Sequence, residues 1–153
     1  LENSKDQDRG FHVLKLDQSN FRQWQQLDAT AAPEQIAEQL DLHIDHINHK
    51  ATQEDLLFEI LLKAGFQPTE KVSLLTAAGK QVFSIADGAL LICLEDSVTK
   101  ELIDAVIEAN PQQFICLDSA FHGNDQLKAN AVQTFNARNM QKEKHNQIVF
   151  RTV

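Results

Sequence analysis

Tyrosine is absent from this chain, glycine occurs five times and cysteine twice. The glycines, Gly10, Gly65, Gly79, Gly88 and Gly123, are too far apart to make any Gly-x-Gly. That spacing excludes the glycine-rich loop whose bare backbone cradles a dinucleotide or a similar cofactor. With no tyrosine and no adjacent prolines, an Asp-Pro-Pro-Tyr motif is excluded as well. Two cysteines are too few for a disulfide framework. Cys93 and Cys116 both sit in apolar, strand-like runs, which suits buried free thiols in a reducing compartment. Long hydrophobic runs are also missing. Ala89-Leu90-Leu91-Ile92-Cys93-Leu94 is strand-sized, far from the roughly 18 to 20 residues that span a bilayer as a helix. The polar opening from Leu1 to Arg9 does not read as a signal peptide.

Basic charge is in short supply. Lysine and arginine total 14 against 22 aspartates and glutamates, giving a net charge of −8. Proteins that bind nucleic acid on their own neutralise phosphates with a basic patch. Here only Lys142 and Lys144 lie close together, so independent DNA binding is disfavoured.

What remains is ordinary globular material, 42% hydrophobic and 24% charged over 153 residues. That length fits one domain, 1–153, with residues 1–10 as an ordered or frayed lead-in. A first residue of Leu1 with Met140 as the sole methionine reads as an excised piece of a longer protein. The composition and start suggest a cytoplasmic origin.

Periodicity organises the chain into elements. Phe11–Leu16 reads as a strand, and Ser19–Gln26 is amide-rich and ambiguous. Pro33 suits the first turn of a helix, whose Ile36, Leu40, Ile44 and Ile47 would share one face. Thr52 and Asp55 form a capping-box pattern. The helix they open is apolar almost all round, and Gly65, Phe66 and Pro68 give its stop signal. Strands are expected over Val72–Thr76 and Gln81–Ala86, with Asp87-Gly88 as a two-residue hairpin turn into a central strand, Ala89–Leu94. Ser97 or Asp96 would cap the next helix. That helix would set Val98, Leu102, Val106 and Ala109 against Lys100, Glu101, Asp104 and Glu108, until Asn110-Pro111 stops it. A strand at Phe114–Leu117, a helix from near Asn124 to about Met140 and a short strand at Ile148–Phe150 complete the series. The expected fold is α/β, a mixed sheet combining an antiparallel β-meander with a parallel βαβ crossover and packed helices.

Three constellations suggest chemistry. Asp118, Ser119 and His122 resemble a hydrolase trio. A working triad, however, needs a base held within reach of the nucleophile by a third group, and no Gly-x-Ser-x-Gly elbow is present. His43, His46 and His49 invite a metal, yet on a helix they would spread over about 120°, unlike an i, i+4 pair. In the last helix Leu127, Ala131, Val132 and Phe135 form an apolar arc with Lys128 inside it. A lysine there must snorkel or meet an acceptor, and Asp118 is the candidate partner.

Five stretches resemble one family. Phe11-His12-Val13-Leu14-Lys15-Leu16-Asp17-Gln18-Ser19-Asn20-Phe21 is similar to the segment after the catalytic domain in the modification (Mod) subunit of type III restriction–modification systems. Glu54–Gly65 is similar to the next helix of that family and Asp87–Leu94 to its sheet. Leu117–Phe135 resembles its carboxy-terminal signature, and Phe150-Arg151-Thr152-Val153 its ending. The order is right and nearly the whole chain is covered.

The resemblance implies a parent that methylates adenine N6 in DNA from S-adenosylmethionine. Its Asp-Pro-Pro-Tyr and Phe-x-Gly-x-Gly motifs would lie upstream, so no catalytic, cofactor or metal residue is assigned here. The fragment would be an assembly domain whose partners are a second Mod subunit and the restriction (Res) subunit, with DNA reached through the parent and no membrane involved. The signature and interface residues are Asp118, Asn124, Lys128, Asn130 and Gln133. The alternative is a DNA-contacting accessory element of the same subunit.

Overall fold

A computed structural model describes residues 13–15, 17–21, 47, 48 and 50–153. Helix α1 (Gln53–Lys63) opens on the capping box that the sequence predicts. The Asp55 N–H donates to Thr52 Oγ1 at 3.1 Å, and the Thr52 N–H donates back to Asp55 Oδ2 at 2.9 Å. The Thr52 hydroxyl, donating to Asp55 Oδ2 at 2.7 Å, and then the Thr52 N–H hold the Asp55 carboxyl below its ordinary pKa. At the other end Gly65, with φ +90°, takes the left-handed turn after the helix. Its N–H reaches Leu62 and that of Phe66 reaches Leu61, satisfying carbonyls the helix leaves open. Leu56, Leu57, Ile60 and Leu61 are buried.

The sheet has five strands in chain order: β1 (Val72–Ala77), β2 (Lys80–Ile85), β3 (Leu90–Cys93), β4 (Gln113–Cys116) and β5 (Val149–Thr152). The first three pair antiparallel, and β3, β4 and β5 pair parallel. Helix α2 (Lys100–Ala109) carries the chain from β3 to β4, and α3 (Asp125–Met140) carries it from β4 to β5. Two such crossovers in the same direction, each right-handed, put both helices on one face of the sheet. The expected mixed α/β architecture is therefore present, with a second parallel addition. Every residue of β3 is buried, as a strand covered on both faces requires.

The core of α3 explains how its helix is held. Phe135 packs 4.7 Å from Phe150 of β5 and 6.0 Å from Phe114 of β4, ring centre to ring centre. The three rings, with Ala131, fasten the helix to the parallel half of the sheet.

Several local expectations change. The β2–β3 connection is not a two-residue turn at Asp87-Gly88. Ile85 pairs with Leu90, so four residues intervene, and Ala86, Asp87 and Gly88 all adopt positive φ (50°, 54° and 97°). Helix α2 is capped by Thr99, whose Oγ1 accepts from Leu102 at 3.3 Å; Ser97 is instead the acceptor for Lys80 Nζ at 2.5 Å. Ala109 is exposed because the helix ends there against left-handed Asn110, while Ile103 joins Leu102 and Val106 in the core. Val132 stays 40% exposed at the flank of the α3 arc.

Val13, Leu14 and Lys15 are exposed and lie in no strand, which corrects the strand expected over Phe11–Leu16; the rest of that segment is outside the described residues. Ile47 makes an isolated antiparallel bridge with Phe21 rather than continuing a helix. The helix expected from Pro33, and His43, His46 and His49, are also outside the described residues.

Candidate interaction surface

Three of the five candidate residues, Asp118, Asn124 and Lys128, gather where β4 gives way to α3. After Cys116 the chain is pinned by the Asp118 N–H, which donates to Val153 O at 2.7 Å. A single 3-10 turn, Ser119–Phe121, then buries Ala120 and Phe121. The Ala120 carbonyl accepts from Val98 at 3.0 Å, tying this loop to the one that leads into α2. His122 (φ 51°) and Gly123 (φ 68°) bend the chain into Asn124. The Asn124 side-chain oxygen caps α3 by accepting from Leu127 N–H at 3.0 Å. Amide side chains lead at such positions because they satisfy a donor the first turn leaves open.

Lys128 does find the acceptor that the sequence suggests. Its Nζ pairs with Asp118 Oδ1 across the β4–α3 junction. The two side chains are 38% and 44% exposed, so solvent screening limits the pair to at most about 1 kcal/mol. Its role is orientation of the first turn of α3 against the strand end.

Asn130 and Gln133 have a different placement. Both are exposed on α3, beside a groove of about 460 Å³ between α2 and α3. Ile103 and Ala131 contribute apolar surface to it, while Asp104, Asn130, Gln133 and Thr134 supply polar groups. Asp104 is held by Lys100 at 2.6 Å. Asn130 accepts from Gln126 Nε2 at 3.0 Å, one turn earlier on the same helix. Neither amide bonds to another element of the fold.

The five residues therefore divide. Asp118, Asn124 and Lys128 build the junction, and Asn130 and Gln133 face outward along the groove.

The hydrolase trio does not assemble. Asp118 is engaged by Lys128, and the bond between Ser119 and His122 is a backbone one, the His122 N–H donating to Ser119 O at 3.0 Å in a left-handed turn, with no side-chain hydrogen bond between the two. Among the described residues no cluster of three or more His, Cys, Asp or Glu could hold a metal ion. Cys93 and Cys116 are directly opposite each other on β3 and β4, free and buried. Burial, and then the neighbouring Cys93 thiol, push Cys116 up to about 12; burial likewise raises Cys93. Neither thiol carries the low pKa of a reactive nucleophile.

Two polar contacts escape sequence reasoning. Asn139 clamps the approach to β5: its Nδ2 donates to Ile148 O, and its Oδ1 accepts from Ile148 N–H, both at 2.8 Å. Glu59, on the outer side of α1, accepts from Ser19 Oγ and from Asn20 N–H at 2.7 Å, and pairs with Lys63 at 2.8 Å. Lys63 also sits 4.4 Å over the Phe21 ring. Both contacts join residues far apart in sequence or outside a regular pattern, so no periodic signal marks them.

No family model matches the chain, and no curated protein matches it.

Proposed function

We propose that the chain is a non-catalytic assembly domain from the carboxy-terminal region of a type III methyltransferase (Mod) subunit. Its work is to hold the subunit to a second Mod subunit or to the Res subunit. Methyl transfer from S-adenosylmethionine to adenine N6 belongs to the upstream part of that parent. The reading rests on the five family-like stretches and their order. The observation that carries it to a surface is the pair of signature amides, Asn130 and Gln133, exposed along the α2–α3 groove with no hydrogen bond to another element of the fold. Exposed amides beside apolar side chains suit a protein partner, which can satisfy them while covering Leu127 and Ala137.

Charge favours a protein partner over a phosphate backbone. Lys63, Lys71, Lys100 and Lys128 each pair with a carboxylate, on Glu59, Asp87, Asp104 and Asp118. With the overall charge at −8, these paired lysines offer little field to attract DNA.

The test is a double replacement, Asn130→Glu with Gln133→Glu, in the complete Mod subunit. Complex formation with the second Mod or with Res should weaken by about tenfold or more, while the melting temperature of the isolated chain stays unchanged. Unaltered assembly would remove the groove from the interface. A steep fall in DNA affinity with salt for the isolated chain would favour the DNA-contacting alternative.

A further inference from the structure

The chain has two cysteines, and each is the last residue of a strand, Cys93 of β3 and Cys116 of β4. They are register partners in the parallel pair. Opposed residues of neighbouring strands project from the same face of the sheet, with Cα atoms about 4.8 Å apart. That spacing lies inside the range of about 4.4–6.8 Å that a disulfide spans. Both side chains are fully buried and both thiols are free.

The thiols stand beside the signature junction. Asp118 and Lys128 are the charged groups whose fields reach Cys116, and Glu95 and Lys80 are those that reach Cys93. Glu95 accepts from Gln81 N–H at 3.1 Å, and Lys80 donates to Ser97. The loops that leave the two strands are joined where Val98 N–H meets the Ala120 carbonyl at 3.0 Å. Movement of the strand ends therefore reaches the first turn of α3, which Asn124 caps.

The geometry points to a redox-responsive pair: a hydroperoxide oxidises Cys93 and Cys116 to an intrachain disulfide that resets the β4–α3 junction. One thiolate attacks the peroxide, breaking its O–O bond and releasing an alcohol, or water when the oxidant is hydrogen peroxide. The second thiolate attacks the sulfenic acid so formed; the S–S bond closes and hydroxide leaves as water. Two electrons pass from sulfur to the peroxide, and the two thiol protons end in the released alcohol and water. A disulfide holds its Cβ atoms about 3.8 Å apart, so the strand ends must close by roughly 1 Å.

Burial keeps both thiols protonated in the closed fold. The pair therefore rests reduced and reacts through brief opening of the strand ends. Disulfides that form in a reducing compartment are of this transient, sensing kind. This inference stands on the register of β3 with β4, not on membership of a methyltransferase subunit.

Hydrogen peroxide added to the native 153-residue chain tests it, with intact mass read after denaturation and alkylation by N-ethylmaleimide. The wild type should lose the mass of two hydrogens, take up no maleimide and stay uncrosslinked, and dithiothreitol should reverse the change. Cys93→Ala should abolish that mass loss. Asp118→Asn removes an anion that disfavours the Cys116 thiolate and should speed the oxidation about threefold. Hydrogen exchange at the Leu127 amide, which bonds to Asn124 in the cap, should rise in the oxidised chain. Thiols that remain fully alkylatable under peroxide that consumes free N-acetylcysteine would overturn the inference. So would a gain of oxygen in place of the lost hydrogens, or a disulfide between chains. An Asp118→Asn chain oxidised no faster than the wild type, or Leu127 exchange indifferent to the bond, would count against it equally.

Discussion

Ala78 holds φ at 49° and Gly79 at 76°, the left-handed pair that a tight turn between β1 and β2 demands. Glycine adopts that conformation freely, whereas alanine meets a clash between Cβ and the following carbonyl that costs about 1 kcal/mol. Asparagine tolerates it better and is favoured ahead of glycine in such turns. Ala78→Asn should therefore stabilise the chain by about 0.5–1 kcal/mol, read as a higher urea midpoint with unchanged slope. Destabilisation would mean that the turn is not left-handed at position 78.

A second residue, Glu59, makes acid stability legible. Burial alone would raise its carboxyl, but the bonds from Lys63, Ser19 and Asn20 outweigh that and hold it below the ordinary value of a glutamate. Its pKa is thus lower in the folded chain than in the unfolded one. The stabilising contribution is fully present above the unfolded value and is lost as pH falls through the folded value. Glu59→Gln should lose stability at neutral pH and show a shallower decline on acidification than the wild type. Unfolding curves that stay parallel from pH 7 to below 4 would contradict this account of the Ser19–Asn20 contact.

At the scale of elements, one polar side chain ties the end of α3 to the approach to β5. Asn139 satisfies both backbone groups of Ile148 just before β5 begins. Asn139→Ala strands a donor and an acceptor beside buried Ile148 and should cost about 1–3 kcal/mol. Amide hydrogen exchange should rise over Val149–Thr152 before it rises in β3. Equal protection of the two strands would show that the clamp does not govern the edge.

The same elements show what a sequence can reveal. Thr52 with Asp55, Asn124 and the stop at Gly65 are local chemistry, written within a few residues, and the structure places them as read. The pairing of Lys128 with Asp118 was also within reach, because a charge on an apolar arc needs an acceptor nearby. The Asp87-Gly88 turn misled because the pair is a hairpin signal only when the strands close directly on it. Here Ala86 and Ala89 belong to the connection. Asn139 and Glu59 were invisible because their partners are fixed by how α3 meets β5 and how residues 19–20 meet α1. Neither meeting leaves a period in the sequence.

At the scale of the molecule, the described residues combine a closed core with two open features. The core runs from α1 through β3 and β4 to Phe135 of α3. The α2–α3 groove presents Asn130 and Gln133, and the outer strand β1 presents exposed Leu74 and Leu75. Among the described residues no cluster of three or more His, Cys, Asp or Glu could hold a metal ion, and burial raises both thiols. The most direct measurement is analytical ultracentrifugation of the purified chain mixed in turn with a purified Res subunit and with the upstream part of a Mod subunit. The assembly account predicts that the chain co-sediments with at least one of them at micromolar concentration, in a complex insensitive to added DNA. Sedimentation of the chain independently of both would contradict it.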